Sequence, residues 1–465
     1  MTSTCFEPAF ATTSETADAV RTKKISASEL LQLTFDRIDR HNPRLNAIIW
    51  QDRDRAMAQA READAAVAKG KAPGPLLGVP ITIKESFACQ GSPNTWGLPE
   101  LRDAISPRTA VAIERLQSSG AIVVGKTNVP VMLGDWQTYN PVHGTTNNPW
   151  DPTRTPGGST GGGAAAVAAG LGSLTIGSDL SGSIRIPAHF CGVYGHKPSL
   201  NLVSMAGFQP GPWDGSPGYP MDLAVVGPLA RSARDLSLAL DVLGGLNGDD
   251  AKAWTWRMPP SRHKRLADFR IGCVFDDPAN PVSSDVRSLY ERVAADLRRV
   301  GAKISHGWPP GLGLQAHLPT FHYLLLALVA AEKTVDPHVR WLQETQNRLA
   351  LRSRWQSYFE DHDVLLLPTT FTAAFAHDHS QPMENRFVET PEGKRPYLRD
   401  MASWISVATV AGLPATVAPI GRTRAGLPVG LQVVAPMWED ATAIEFAALL
   451  SDVIGGFTAP PAFSD

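Results

Sequence analysis

Apolar residues first recur at helical spacing after Ser26-Ala27-Ser28-Glu29, where Leu30, Leu31, Leu33, Phe35 and Ile38 line one side. That pattern behind a cap-like opening predicts an amphipathic helix ended by Pro43. Asp52 to Lys69, rich in Ala, Arg, Glu and Asp, predicts a second helix with a solvated face, and Lys71 to Pro75 a turn. Leu77 to Ile83 alternates as a strand that delivers Lys84 at its end, and a helix over Ala110–Ser119 steps into a strand at Ala121–Val124. Leu174 to Ile176 is a short strand, Asp222 to Leu229 returns to the core, and Ser232 to Leu243 is a capped amphipathic helix. Further on, Ile271–Phe275 and Ala302–Ser305 read as strands around a helix at Asp285–Val300. Leu324–Ala331 predicts a buried helix and Asp363–Pro368 a buried strand, while Val410–Pro414 and Gly426–Val434 predict two paired strands before a closing helix. The fold class expected from this alternation is α/β.

The most unusual stretch, Pro156 to Ser199, breaks these periodicities. Gly157-Gly158-Ser159-Thr160-Gly161-Gly162-Gly163 is too glycine-rich for a regular element and suits left-handed or sharply bent backbone. Beyond Gly163, the alanines Ala164, Ala165, Ala166, Ala168 and Ala169 predict a small-residue helix that packs closely on all sides. A second bent loop, Gly177 to Ser183, follows the 174–176 strand and presents successive backbone N–H groups. Two glycine-embedded serines, Ser159 and Ser183, thus flank one helix.

Composition narrows the setting without changing this picture. The 465 residues are 43% hydrophobic and 19% charged, with a formal net charge of −2. This is an ordinary globular balance with no general attraction for nucleic acid or anionic membrane, so the expected partners are small molecules. Four scattered cysteines, Cys5, Cys89, Cys191 and Cys273, show no metal-ligand spacing and suit a reducing compartment. The N-terminus lacks a signal-peptide pattern and no stretch approaches the ~20 apolar residues of a membrane helix, which makes cytoplasmic the expected location.

The two loops, the second closing on Ser181-Gly182-Ser183-Ile184-Arg185, resemble the amidase signature family of serine hydrolases, whose defining segment pairs a GGSSGG loop with a GGSIR loop. The resemblance implies Ser183 as nucleophile, Ser159 as the serine bridging nucleophile and base, and Lys84 as base, from Gly78-Val79-Pro80-Ile81-Thr82-Ile83-Lys84. It places the oxyanion hole on the backbone N–H groups of Leu180, Ser181, Gly182 and Ser183. Ser181 and Thr160 depart from the family pattern, which has glycine and serine there. It implies an amidase signature fold, with a large mixed β-sheet core covered by helices on both faces. The expected organisation is one domain over residues 1–465: an N-terminal helical segment (1–70), a catalytic core (71–245), a variable α/β excursion (246–395) and a return to the core (396–465). No cofactor or metal is implied.

Rival readings are weaker. Gly120 to Thr127 matches GxxxxGK[ST], but its intervening Ala-Ile-Val-Val is a strand where a phosphate-binding motif needs a loop. His143, near the serine loops, is the rival base to test, with His189 and His196 behind it, although no acidic residue in triad context accompanies them. Glu85 faces away from Lys84 if the strand continues, and Asp179 with Arg185 is expected to brace the loop as an ion pair.

The expected activity is hydrolysis of C–N bonds in neutral, largely apolar amides, anilides or carbamates, with esters also in range. A glutamyl-tRNA amidotransferase A subunit is the alternative, and a scaffold with a dead site a third. The aromatic residues Trp136, Trp150, Phe208, Trp213 and Tyr219 in flanking loops motivate the apolar substrate, with Trp136, Phe208, Trp213 and Tyr219 as candidate binding residues and core packing as the other role open to each. The 324–331 helix is a candidate lid, and the expected assembly is a monomer or homodimer.

Overall fold

The structure is a computed structural model and describes residues 7–71, 74–218, 221–329 and 338–464. Tyr219, Cys5 and residues 330–331 of the candidate lid lie outside these. The strands are β1 (Ile48–Trp50), β2 (Pro80–Lys84), β3 (Ile122–Thr127), β4 (Tyr139–Asn140), β5 (Gly144–Thr145), β6 (Leu174–Asp179), β7 (Tyr194–Lys197) and β8 (Val225–Ala230). They continue with β9 (Arg270–Cys273), β10 (Lys303–His306), β11 (Val364–Pro368), β12 (Phe387–Thr390), β13 (Gly393–Pro396), β14 (Ala415–Arg422) and β15 (Pro428–Val434). Eleven form one mixed sheet in the order β1-β3-β2-β6-β8-β7-β14-β15-β11-β9-β10, and β4–β5 and β12–β13 are separate ribbons.

Side chains of these strands feed two hydrophobic cores. In β8, Val226 and Ala230 join one core and Leu229 the other. The second core holds the helices Ala27–Leu45 and Gly161–Ala168, while the first holds Ala233–Leu243 and Asp440–Ile454. The expected helix-covered mixed sheet is therefore present. Among the described residues no helix is long and apolar enough to cross a membrane.

Several elements differ from their expected bounds. Pro43 lies inside the last turn of the Ala27–Leu45 helix, which closes only at the left-handed Asn46. Gly161, Gly162 and Gly163 are helical, not loop: they open the helix that runs to Ala168. Their glycines answer a packing demand, since a Cβ at Gly161 would lie 2.2 Å from Thr138 Oγ1 and one at Gly162 2.5 Å from the Asn128 nitrogen. Strand β6 extends to Asp179, which shortens the second serine loop to 180–183. Val410 and Ala411 end a buried helix, Ser403–Ala411, and the strand paired with β15 is β14. An apolar run buried on all sides carries no period that separates strand from helix. The described part of the candidate lid belongs to a longer helix, Leu314–Val329, on which Leu326 is 61% exposed rather than buried.

Candidate active site

Strands β2 and β3 run parallel, with Lys84 opposite Thr127 and Ile83 opposite Lys126. Register neighbours share a face, so Lys84 points to one side of the sheet and Lys126 to the other. Lys84 is fully buried, and its Nζ donates to Ser159 Oγ at 2.6 Å and to Ser178 Oγ at 2.9 Å. Burial lowers its pKa to about 7, against a smaller opposing pull from the Asp179 charge.

Ser159 follows a cis Gly158–Ser159 peptide just before the Gly161–Ala168 helix. The next residue ties the two serine loops together, as the Thr160 N–H donates to the Ser183 carbonyl at 3.1 Å. Ser183 is 5% exposed, and among the described residues its hydroxyl has no hydrogen-bond partner. The Ser159 and Ser183 hydroxyls are not hydrogen-bonded to each other in this state, so the contact made directly is Lys84–Ser159.

Asp179, at the end of β6, shapes the second loop. Its carboxylate accepts the N–H groups of Gly182 (2.9 Å), Ile184 (3.1 Å) and Arg185 (3.3 Å), so both residues flanking Ser183 are held by one side chain. Arg185 pairs with it through Nε at 3.0 Å and a terminal nitrogen at 2.9 Å, both side chains fully buried. Burial pushes the Asp179 pKa up, but the Arg185 charge and hydrogen bonds outweigh it and hold the group at about 2. The expected loop brace is present. Of the four N–H groups expected to line an oxyanion hole, that of Gly182 already donates to Asp179. The N–H groups of Leu180, Ser181 and Ser183 have no partner among the described residues.

The rival bases stand elsewhere. His189 accepts the Gly430 N–H on Nδ1 at 2.9 Å and reaches the Thr372 carbonyl with Nε2 at 3.0 Å, and burial lowers its pKa to about 4. His196 lies between Thr416 and Asp440. Ser199 donates to the Asp440 carboxylate at 2.6 Å and does not contact the imidazole. His143 is half-buried with Nε2 unpartnered, and none of the three bonds Ser159 or Ser183. Glu85 accepts the Thr95 and Trp96 N–H groups, away from Lys84. Cys191 is buried, its thiol donating to the Pro156 carbonyl at 3.4 Å and its pKa pushed up by desolvation.

Of the aromatic candidates among the described residues, Trp136 alone touches the serine loops, its indole N–H donating to the Ser181 carbonyl at 2.7 Å. Phe208 packs against Phe87 and Trp96 at centroid distances of 5.4 and 4.9 Å. Trp213 donates to the Ser216 carbonyl at 2.8 Å beneath Arg108, and Trp150 donates to the Cys191 carbonyl at 2.9 Å beneath Arg422. All three make these contacts away from the serine loops. Sequence reasoning passed over Ser178 as the second hydroxyl on Lys84; the signal was its place beside Asp179, once the strand is carried to its full length.

The profile of the Amidase family matches residues 29–335 and 322–444. The chain is 32% identical over 95% of its length to an indoleacetamide hydrolase of Bradyrhizobium diazoefficiens, covering 86% of that protein. It is 30% identical over 91% of its length to the A subunit of a glutamyl-tRNA(Gln) amidotransferase of Thermosynechococcus vestitus, covering 94% of it. The solved structure of a 6-aminohexanoate cyclic dimer hydrolase with substrate superposes with a TM-score of 0.80 at 25% identity, over 98% of this chain and all of the other. With a buried lysine on a serine hydroxyl beside a second serine loop, and a profile match along most of its length, the chain belongs to the Amidase family, the amidase signature hydrolases that act on amides.

Proposed function

We propose that Ser183 is the nucleophile of an amide hydrolysis in which Ser159 and Lys84 carry the proton. Neutral Lys84 accepts a proton from Ser159, which takes the proton of Ser183 as that oxygen bonds to the substrate carbonyl carbon. The oxyanion formed is received by the N–H groups of Leu180, Ser181 and Ser183. The C–N bond then breaks, and the amine leaves with the proton returned from Lys84 through Ser159. Water attacks the acyl-enzyme by the same relay and restores Ser183. The observation that carries this reading is the Lys84 amine, dry, bonded to Ser159 and with a pKa near 7, where it can both take and return a proton. For the relay to run, the Ser183 hydroxyl must come into hydrogen-bond reach of Ser159. A hydrogen bond that tightens only with substrate bound is ordinary for such sites.

The substrate class we infer is a neutral, largely apolar amide, anilide or carbamate. An indoleacetamide hydrolase among the similar proteins supports an aromatic, uncharged acyl group. The likeness to an amidotransferase A subunit supports the second reading, a glutaminase that works within a complex. Comparing kcat/KM of the isolated chain for an aromatic acetamide, an apolar 4-nitroanilide, a 4-nitrophenyl carbamate and glutamine separates the two. The apolar compounds should win; a lead of about tenfold for glutamine, some 1.4 kcal/mol, overturns the substrate class and leaves the relay standing.

A further inference from the structure

The Ser181–Gly182 peptide is held at both ends. Its carbonyl oxygen accepts the Trp136 indole N–H at 2.7 Å, and its N–H donates to Asp179 at 2.9 Å. A peptide unit is planar, so two hydrogen bonds on opposite sides leave it almost no freedom to rotate. The N–H groups on either side, those of Ser181 and Ser183, belong to the adjoining peptide units and take their directions from this one.

Trp136 is in turn well anchored. Its backbone N–H donates to Tyr397 Oη at 3.1 Å, and the two rings meet edge to face at 5.6 Å. Tyr397 donates to Asp135, which also accepts Arg386 at 2.7 Å and Tyr139 at 3.0 Å. The same short segment presses on the other serine loop: a Cβ at Gly158 would lie 2.4 Å from the Asp135 carbonyl oxygen and 2.7 Å from the Gln137 nitrogen. Residues 135–137 therefore touch the backbone before Ser159 and the backbone before Ser183, and Trp136 is 7% exposed, with its one polar side-chain atom spent on Ser181.

We propose that Trp136 is a positioning residue of the oxyanion loop: it orients the N–H groups around Ser183 through the Ser181 carbonyl and does not bind the substrate. The proposal replaces the substrate-binding role expected for this tryptophan, and it rests on Ser183 being the nucleophile. Because preorganised donors strengthen only the transition state, loosening them lowers kcat and leaves KM nearly unchanged.

The test replaces Trp136 in the full chain with 3-benzothienylalanine, in which sulfur takes the place of the indole N–H and the ring shape is kept. Trp136→Phe serves as a second variant, and an apolar 4-nitroanilide as substrate. The expected result is a fall in kcat of about tenfold or more with KM within about twofold, an unchanged pH midpoint and an unchanged melting temperature for the isostere. A kcat within about twofold of the parent overturns the proposal, and so does a rise in KM at constant kcat, the mark of a substrate contact. Fluorophosphonate labelling mapped on the same samples keeps the two ideas apart. A label on Ser183 with unaffected kcat defeats the Trp136 role alone, whereas a label elsewhere defeats the nucleophile reading beneath it.

Discussion

Lys84 and Lys126 lie near the ends of adjacent parallel strands, both fully buried, yet in different surroundings. Lys126 donates to the Pro93 carbonyl at 2.5 Å and to Ser92 Oγ at 3.3 Å, on the face that also holds Glu85. Burial lowers its pKa, but the Glu85 and Cys89 charges pull back toward the ammonium form. The carbonyl only accepts, and the Ser92 hydroxyl donates onward to another carbonyl, that of Cys89, at 2.7 Å. Lys84 faces two hydroxyls, which can donate as well as accept, and the charge acting on it is that of Asp179, already engaged by Arg185 and three backbone N–H groups. Burial is common to both lysines, so it is the partners that suit Lys84 to the proposed proton relay and Lys126 to bracing the loop around Ser92 and Pro93.

Removing each amine in turn should separate the two lysines. Lys84→Met should cut kcat by about a thousandfold or more while the fold stays intact, and Ser159→Ala should do nearly the same. The double variant should be little worse than either single, because groups that act as one unit lose nearly everything at the first deletion. Steady-state kinetics on the three variants, with circular dichroism as the control, checks this.

Lys126→Met should act on stability. It removes the nearby charge that favours ionised Glu85 and the hydrogen bonds to Pro93 and Ser92, read as a lower denaturation midpoint. Lys84→Met should go the other way. The Lys84 pKa lies near 7 in the folded chain and near 10.5 when exposed, so between those values the unfolded chain binds more protons. Its burial therefore destabilises fully below pH 7, and the penalty is lost as pH rises toward 10.5. The variant should be more stable than the parent at pH 6, with the gap closing by about pH 10, as urea titrations at the two pH values would measure. The smallest effect expected is for Ser178→Ala, about tenfold in kcat, since Lys84 keeps Ser159 as its partner.

Much of this contrast was legible beforehand, and for physical reasons. The alternation from Leu77 to Ile83 placed Lys84 at a strand end, and strand parity put Glu85 on the opposite face. The two glycine loops marked both serines because few other backbones need so many small residues. What the sequence hid depends on contacts far apart in the chain. The indole of Trp136 looks like an apolar surface until Ser181 is seen against its N–H. Gly161 to Gly163 look like a loop until Thr138, Asn128 and Thr175 are seen to leave no room for a Cβ in a helix. The claim of Asp179 on the Gly182 N–H depends on loop closure, which no periodicity encodes.

Activation of Ser183 by a neutral Lys84 through Ser159 should show in the pH dependence of fluorophosphonate labelling, with the labelled peptide mapped. In the parent chain the label should fall on Ser183, at a rate that rises with pH through about 7, and in Lys84→Met that rise should disappear along with most of the rate. A label on Ser159 or Cys191, or the same midpoint near 7 surviving in Lys84→Met, would contradict the account and return the search for a base to the histidines.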